Sequence, residues 1–264
     1  MEDSSNTTQT RSTSNTNSNQ NEQHQSIQGF LIANRIDSIL WLIRLYIIFS
    51  SLIFFVPLFG TDLGASSYKK VLIGSAAISA LRLHQRLPRI QLTIQFAKDL
   101  LLQDSFHYLI YSVLFLTANS TSMVLLPILL FAVMHATSYT QKVLNINRSS
   151  SFLALKLRQL INKIDQPETQ QQLLQFIATI EIMVFFTTIL MAFSGQGTIL
   201  TPLFYYRFLQ LRYTSRRNPY SRLVFSQFRL GIEQLACHPK CPSIVRRVLY
   251  GVVSIANRLS PSYA

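Results

Sequence analysis

The chain has 264 residues, of which 48% are hydrophobic and 13% are charged, and its formal net charge is +13 at neutral pH. The charged fraction is about half that of an ordinary soluble domain. A soluble helical domain would have to bury several nearly uncharged segments on all sides, so this composition favours an integral membrane protein. The excess of basic residues indicates an anionic partner, either nucleic acid or acidic lipid.

The N-terminal arm, residues 1–28, is predicted to be disordered. Its first 26 residues are mostly Ser, Thr, Asn and Gln, and they cannot bury enough apolar surface to offset the entropy of ordering. The arm lacks the basic start and apolar centre of a signal peptide, so we expect the first transmembrane helix to direct membrane insertion.

Two segments, about 39–59 and 173–193, are apolar over about 21 residues, where a bilayer-spanning helix needs about 20. Arg44 lies near the start of the first segment, and we interpret it as extending towards the headgroups. A shorter segment, 71–81, is rich in small residues and predicts a re-entrant or interfacial helix. The apolar segment 199–208 is also too short to cross.

The segment 106–134 contains no Asp, Glu, Lys or Arg, but residues 117–122 in its middle are polar. It is either one long kinked span or a hairpin that enters the membrane and returns. The loops 69–98 and 142–163 and the C-terminal tail are all basic, and the positive-inside rule assigns basic segments to the cytosol. We therefore favour helical hairpins open to the cytosol over a three-span topology with one basic loop in the lumen.

Glu181 lies inside the segment 173–193, where an unpaired carboxylate is costly. Two interpretations are open. Glu181 pairs with Arg44, or it is protonated and forms a hydrogen bond to a neighbouring helix. A small transporter or channel that uses this possible intramembrane pair is the alternative function.

Residues 210–264 form a basic tail, which we predict to be cytosolic and to end in an amphipathic helix over 244–259. A second amphipathic helix is predicted within 153–164. The alternative for the tail helix is packing on the protein's own cytosolic part. The candidate membrane and lipid-binding residues are Arg207, Arg212, Arg216, Arg217, Arg246, Arg247, Val248, Leu249 and Val252.

No catalytic residue, cofactor-binding residue or metal ligand is predicted, and none of the common catalytic motifs occurs. Cys237, His238 and Cys241 do not match the spacing of a standard zinc site. Aromatic residues accompany the tail arginines, but interfacial aromatics explain them as well, so nucleic acid is not an expected partner.

Five motifs resemble those of the transmembrane protein 33 family, also called the Krüppel homologue 2 family, which includes the yeast pore-membrane proteins. They are RLHQRLP at 82–88, DSFHYLIYS at 104–112, HATSYTQKVL at 135–144, SGQG at 194–197 and YYRFLQLRYTSRRNPY at 205–220. The resemblance extends from about Gly29 to Leu259. It implies a non-enzymatic protein of the endoplasmic reticulum membrane and nuclear envelope. It also implies partnership with reticulon-type and other endoplasmic reticulum proteins, a role in the tubular network and, in fungi, a link to nuclear pore components.

The predicted fold is all-α: a polytopic membrane protein with short transmembrane or hairpin helices and in-plane amphipathic helices. Its membrane domain is predicted to be 29–209. We expect the hairpins at 39–81 and 106–134, with the helix at 244–259, to sense or adjust the curvature of an anionic membrane.

Overall fold

The structure is a computed structural model that describes residues 27–56, 61–87, 93–146, 152–215, 219–238 and 242–259. Every regular element in these residues is an α-helix, which confirms the predicted fold class. The helices are α1 (Ile27–Ala33), α2 (Arg35–Phe55), α3 (Thr61–Arg86), α4 (Ile94–Leu101), α5 (Asp104–Leu116), α6 (Ser122–Ile146), α7 (Phe152–Ile164), α8 (Pro167–Phe193), α9 (Leu200–Thr214), α10 (Tyr220–Cys237) and α11 (Ser243–Leu259). By length and composition, α2, α6 and α8 are able to cross a membrane.

Helices α2 and α3 form an antiparallel pair. Phe54 near the end of α2 packs on Tyr68 near the start of α3, with ring centroids 5.6 Å apart. At the other end of the pair, Arg82 of α3 lies 3.5 Å from the Asp37 carboxylate of α2. The chain therefore runs the length of the bundle and returns within residues 35–86.

Helices α5 and α6, like α8 and α9, are consecutive helices that run in opposite directions, and we call these two sets, together with α2 and α3, helix pairs by their order in the chain. Helix α9 packs on α8, whereas α5 packs mainly on α3 and α9, and α6 packs mainly on α2 and α8.

The turns that connect α5 to α6 and α8 to α9 touch, because the Asn119 amide donates to the Gln196 carbonyl and the Thr121 hydroxyl lies 3.3 Å from the Met191 sulfur. The end of α2 and the first part of α3 lie at the same end, since Tyr68 of α3 contacts Phe54 of α2 and lies beside Thr121 of the α5–α6 turn. We call this end of the bundle the turn end.

The opposite end, which we call the basic end, carries the other five helices of the described residues. Helix α1 leads into α2, α4 connects α3 to α5, α7 connects α6 to α8, and α10 and α11 follow α9. The connecting segments at the turn end, 57–60, 117–121 and 194–199, contain no charged residue. Exposed Lys69 and Lys70, however, follow Tyr68 in α3 near this end, so the basic loop predicted over 69–98 is wrong at its start. The other basic connecting segments, within 82–98 and 142–163, lie at the basic end.

The centre of the bundle is aromatic. Tyr111 and Phe115 of α5 interleave with Tyr205 and Phe208 of α9, with ring centroids 5.1 Å apart for Tyr111 and Phe208 and 5.6 Å for Phe115 and Tyr205. All four side chains are buried. Helices of 13 and 15 residues extend only about 20 Å, less than a hydrocarbon core of about 30 Å. These rings therefore hold two short helices among the longer ones.

The predicted short helix at 71–81 is instead the middle of the 26-residue α3. Its serines, including Ser75 and Ser79, are buried between helices, and the Ser112 hydroxyl donates to the Ser75 hydroxyl at 2.9 Å. Small polar residues lower the hydropathy of a segment while allowing close helix packing, which is why α3 appears too short by apolar length alone.

The polar residues at 117–122 separate α5 from α6, so the hairpin interpretation of 106–134 describes the structure, and α6 continues to Ile146. The end of the predicted segment 39–59 and the N-terminal arm up to residue 26 lie outside the described residues. The helix predicted over 244–259 corresponds to α11, and that within 153–164 corresponds to α7.

Candidate functional site

Glu181 of α8 lies in a polar cluster inside the bundle and is 1% exposed. Its carboxylate is 3.1 Å from Nε of Arg212 and also accepts a hydrogen bond from the Tyr108 hydroxyl. The Tyr205 hydroxyl donates to the main-chain oxygen of Glu181 at 2.8 Å. Helices α5, α8 and α9 therefore meet at this one residue.

The predicted contact between Glu181 and Arg44 is wrong, because α5 and α9 contribute the partners that surround the carboxylate and Arg44 lies on α2. Of our other interpretation, a protonated Glu181 bonded to a neighbouring helix, the structure contains the hydrogen bond, which the Tyr108 hydroxyl donates. Arg212 supplies the positive charge that we had assigned to Arg44.

Arg212 was expected to bind lipid, and the structure corrects this, because its side chain is 1% exposed. The reason is helical spacing. The buried residues of α9 are Tyr205, Phe208, Leu209 and Arg212, so the arginine lies in line with the apolar stripe that faces the core. That spacing is present in the sequence and could have identified Arg212 as the partner of a buried acid.

Asp104, at the start of α5, extends the cluster. Its carboxylate is 3.4 Å from a terminal nitrogen of Arg212 and accepts a hydrogen bond from the Ser215 hydroxyl at 2.7 Å. Above the Tyr108 ring, the guanidinium carbon of Arg212 lies 5.4 Å from the ring centroid, a geometry that favours a cation. The arginine is thus held by two carboxylates and one aromatic face, and this arrangement joins the second helix pair to the third.

The other predicted arginines of this region have different environments. Arg207 is exposed and donates to the Gln210 side chain at 2.9 Å. Arg216 and Arg217 lie outside the described residues. Arg44 is buried at 6% exposure and lines a cavity at the basic end.

Helix α11 displays the predicted amphipathic surface. Ile244 is 77% exposed and Val248 is 61% exposed, so its own protein does not cover this part of the apolar face. Arg246 and Arg247 are exposed as well, whereas Leu249 is half-buried. The Val252 side chain lies outside what the structure describes. Helix α11 packs on α10, with Val253 buried, so the packing alternative accounts for one side of this helix only.

Among the described residues, no group of three or more His, Cys, Asp or Glu side chains is placed to hold a metal ion. Cys237 is exposed, and Cys241 lies outside the described residues. Glu181, Arg212 and Asp104 hold one another, and this arrangement stabilises the contact between helix pairs.

A family model described as Transmembrane protein 33/Nucleoporin POM33 matches residues 19–262. Human Transmembrane protein 33 is 44% identical over 233 residues, which cover 88% of this chain and 93% of the human protein. Krueppel homolog 2 of Drosophila melanogaster is 37% identical over 228 residues, covering 86% of this chain and 80% of that protein. Pore membrane protein of 33 kDa of Saccharomyces cerevisiae is 26% identical over 166 residues, covering 61% and 58%, respectively. No solved structure gives a significant match.

The all-helical bundle and its three candidate spans define a multi-pass membrane protein. The extent of the match also shows the family: the chain belongs to the Transmembrane protein 33/Nucleoporin POM33 family. The family resemblance drawn from the five motifs is confirmed. None of the three relatives' names denotes an enzyme.

Proposed function

We propose that this protein is a non-enzymatic membrane protein of the endoplasmic reticulum and nuclear envelope that organises or regulates membrane curvature and the tubular network. The observation that carries the proposal is the unequal distribution of mass between the two ends of the bundle. In the part of the chain that the structure describes, α1, α4, α7, α10 and α11 lie at the basic end, whereas at the other end only the short segments 117–121 and 194–199 join α5 to α6 and α8 to α9.

The positive-inside rule orients this asymmetry. The segments that join or follow the helix pairs at the basic end include Lys98, Lys156, Arg158, Lys163 and Arg222, and basic segments of this kind are retained in the cytosol. The termini, the C-terminal tail and all five of these helices would then be cytosolic. Helices inserted at the level of the cytosolic leaflet add area to that leaflet alone. This favours a membrane whose cytosolic face is convex.

Two of these five helices present apolar side chains to their surroundings. In α7, Phe152 is 70% exposed and Leu160 is 58% exposed, and in α11 the exposed residues include Ile244 and Val248. An apolar helix face bordered by arginines, here Arg246 and Arg247, is typical of a helix that lies in the plane of an anionic membrane. We therefore assign α11 to lipid contact.

The location rests on the relatives. The yeast relative is named a pore membrane protein, which supports the nuclear envelope as one site for this chain, with nuclear pore components as partners there. Reticulon-type proteins are the further partners that the family resemblance implies. The transporter alternative needs Glu181 and Arg44 to share a pathway. The cavity lined by Arg44 is not lined by Glu181, so the geometry does not favour it.

The test is the distribution of the full-length protein between flat and curved membrane. Fluorescently labelled protein is reconstituted into giant vesicles that contain anionic lipid, and a narrow tube is pulled from each vesicle. We expect a higher protein density on the tube than on the vesicle. Val248→Asp places a charge on the apolar face of α11 and should reduce this enrichment.

Ser254→Asp is the matched control, because it introduces the same charge at an exposed position on the polar side of the same helix. It should retain the enrichment. Equal densities of the unmodified protein on tube and vesicle would contradict the proposal. An equal loss of enrichment in the two variants would show that the apolar face of α11 is not responsible for it.

A further inference from the structure

A cavity of about 420 Å³ lies inside the bundle near its basic end. Its size is in the range of sites that hold small molecules or parts of larger ones. Side chains from α2, α3, α5, α6, α8 and α9 line it. The charged residues of the lining, other than histidine, are Arg44, Arg82, Arg86, Asp104 and Arg212.

The charges on this lining are not balanced. Asp104 is already engaged by Arg212 and Ser215, and Arg82 lies beside the Asp37 carboxylate. Arg86 donates a hydrogen bond to the Gln103 side chain at 3.2 Å. The other arginine of the lining is Arg44. Its side chain is buried, yet it forms no hydrogen bond or ion pair with any residue that the structure describes.

Arg44 is 6% exposed and lines the cavity. Keeping this cation away from bulk solvent is costly, and an anion in the cavity would reduce that cost. Arg212 gives a second, independent indication. Its Nη2 atom is buried and has no hydrogen-bond partner within the described part of the chain, although the residue lines the same cavity. Arg212 therefore adds positive charge to the lining of the cavity, and Arg44, on a different helix, is the residue placed to donate hydrogen bonds to a phosphate there.

The rest of the lining is apolar and includes Ile78, Ile128, Phe131 and Leu174. A free anion would leave this surface uncovered, whereas an amphipathic ligand would cover it with a hydrocarbon chain. Arg44 lies about 13 Å along α2 from Arg35, the first residue of that helix. At this depth, a long side chain reaches the headgroup level of the nearer leaflet.

We propose that this cavity binds the phosphate of an anionic phospholipid from the leaflet at the basic end, with Arg44 as the principal ligand and one acyl chain along the apolar wall. The site differs from the α11 surface, because it lies within the membrane domain and recognises one lipid molecule. It does not depend on the proposed role in curvature.

The experiment uses full-length protein in nanodiscs of phosphatidylcholine that contain increasing fractions of phosphatidic acid, with the melting temperature as the readout. We expect the melting temperature to rise with phosphatidic acid until the site is saturated. In Arg44→Gln the half-saturating fraction should increase about tenfold or more, since hydrogen bonds to a charged group are lost.

Arg35→Gln is the matched control, because it removes the same charge from an exposed position on the same helix and should leave the half-saturating fraction unchanged. In phosphatidylcholine alone, Arg44→Gln should be at least as stable as the unmodified protein, since a buried charge without a partner has been removed. Ser79→Phe, which fills the cavity from α3 without changing charge, should also abolish the response to phosphatidic acid.

If Arg35→Gln and Arg44→Gln changed the half-saturating fraction equally, the proposal would be overturned. The stabilisation by phosphatidic acid would then come from the general positive charge of the surface. Stabilisation by inorganic phosphate in pure phosphatidylcholine discs, to the extent seen with phosphatidic acid, would also overturn it. In that case the cavity would be a site for a free anion.

Discussion

At the scale of single residues, Arg212 is buried because two carboxylates and a tyrosine ring meet it inside the bundle. Bringing a guanidinium and a carboxylate out of water costs several kcal/mol for each ion, and their attraction repays this only when the geometry is good and the remaining donors are used. Nε of Arg212 contacts Glu181 at 3.1 Å, and a terminal nitrogen lies 3.4 Å from Asp104. The cluster is therefore expected to respond strongly to the loss of one member.

Arg212→Met would leave the Glu181 carboxylate buried without a cation. We expect the free energy of unfolding to fall by about 3–5 kcal/mol, as for other broken buried pairs. Titration of the protein in mixed micelles with a denaturing detergent measures this change. The double variant Glu181→Gln, Arg212→Met should recover part of the loss, because the unpaired charge is then gone.

The exposed pair Arg229–Glu233 in α10 provides the matched control, with a distance of 2.8 Å between the same types of group. Solvent screens this pair, so Arg229→Met should cost at most about 0.5 kcal/mol. Similar losses for Arg212→Met and Arg229→Met would show that the buried cluster does not stabilise the bundle.

At the scale of elements, the contact between α2 and α3 depends on a glycine. A Cβ atom at Gly74 would lie 3.0 Å from a side-chain carbon of Ile47 on α2. Small residues at such positions let helix backbones approach closely, which is how helices pack in membranes. Gly64, near the start of the same helix, has open space around it.

Gly74→Leu should therefore push α2 and α3 apart and destabilise the protein by about 1–3 kcal/mol, as overpacking does elsewhere. Gly64→Ala should have the opposite sign, with a gain of up to about 1 kcal/mol from helix propensity. The same detergent titration compares the two variants. If Gly74→Leu were as stable as the unmodified protein, the close contact between α2 and α3 would be refuted.

The sequence predicted best the helices that have a continuous apolar segment, such as α8, or a regular amphipathic pattern, such as α11. It predicted α3 poorly, since buried serines reduce its hydropathy. Helix α10 was missed, although Tyr220, Val224 and Phe228 recur at helical spacing and pack together against α8. Glu181 was identified as a residue in need of a partner. Its partner could not be deduced, because a contact between α8 and α9 depends on how the helices pack.

At the scale of the whole molecule, the alternating directions of consecutive helices bring the basic segments 82–98 and 142–163 to one end, while Lys69 and Lys70 of α3 lie near the other end. The sequence indicated this arrangement through the alternation of apolar and basic segments, which favoured hairpins. It did not show that α5 and α9, too short to cross alone, would be enclosed by longer helices through an aromatic core. Nor did it reveal the cavity around Arg44, since six helices contribute to its walls.

The central claim is that the basic segments 82–98 and 142–163 and the C-terminal tail lie on one side of the membrane, and single-cysteine labelling in intact microsomes tests it most directly. Cys237 and Cys241 are replaced first, and single cysteines are then placed at Gln95, Gln159 and Ser226 for the basic end and at Ser120 and Thr198 for the turn end. We expect a membrane-impermeant maleimide to label the first three positions and to leave the last two unlabelled until the membrane is permeabilised. Labelling of only one of Gln95 and Gln159 in intact microsomes would place these two segments on opposite sides and contradict the paired-helix topology.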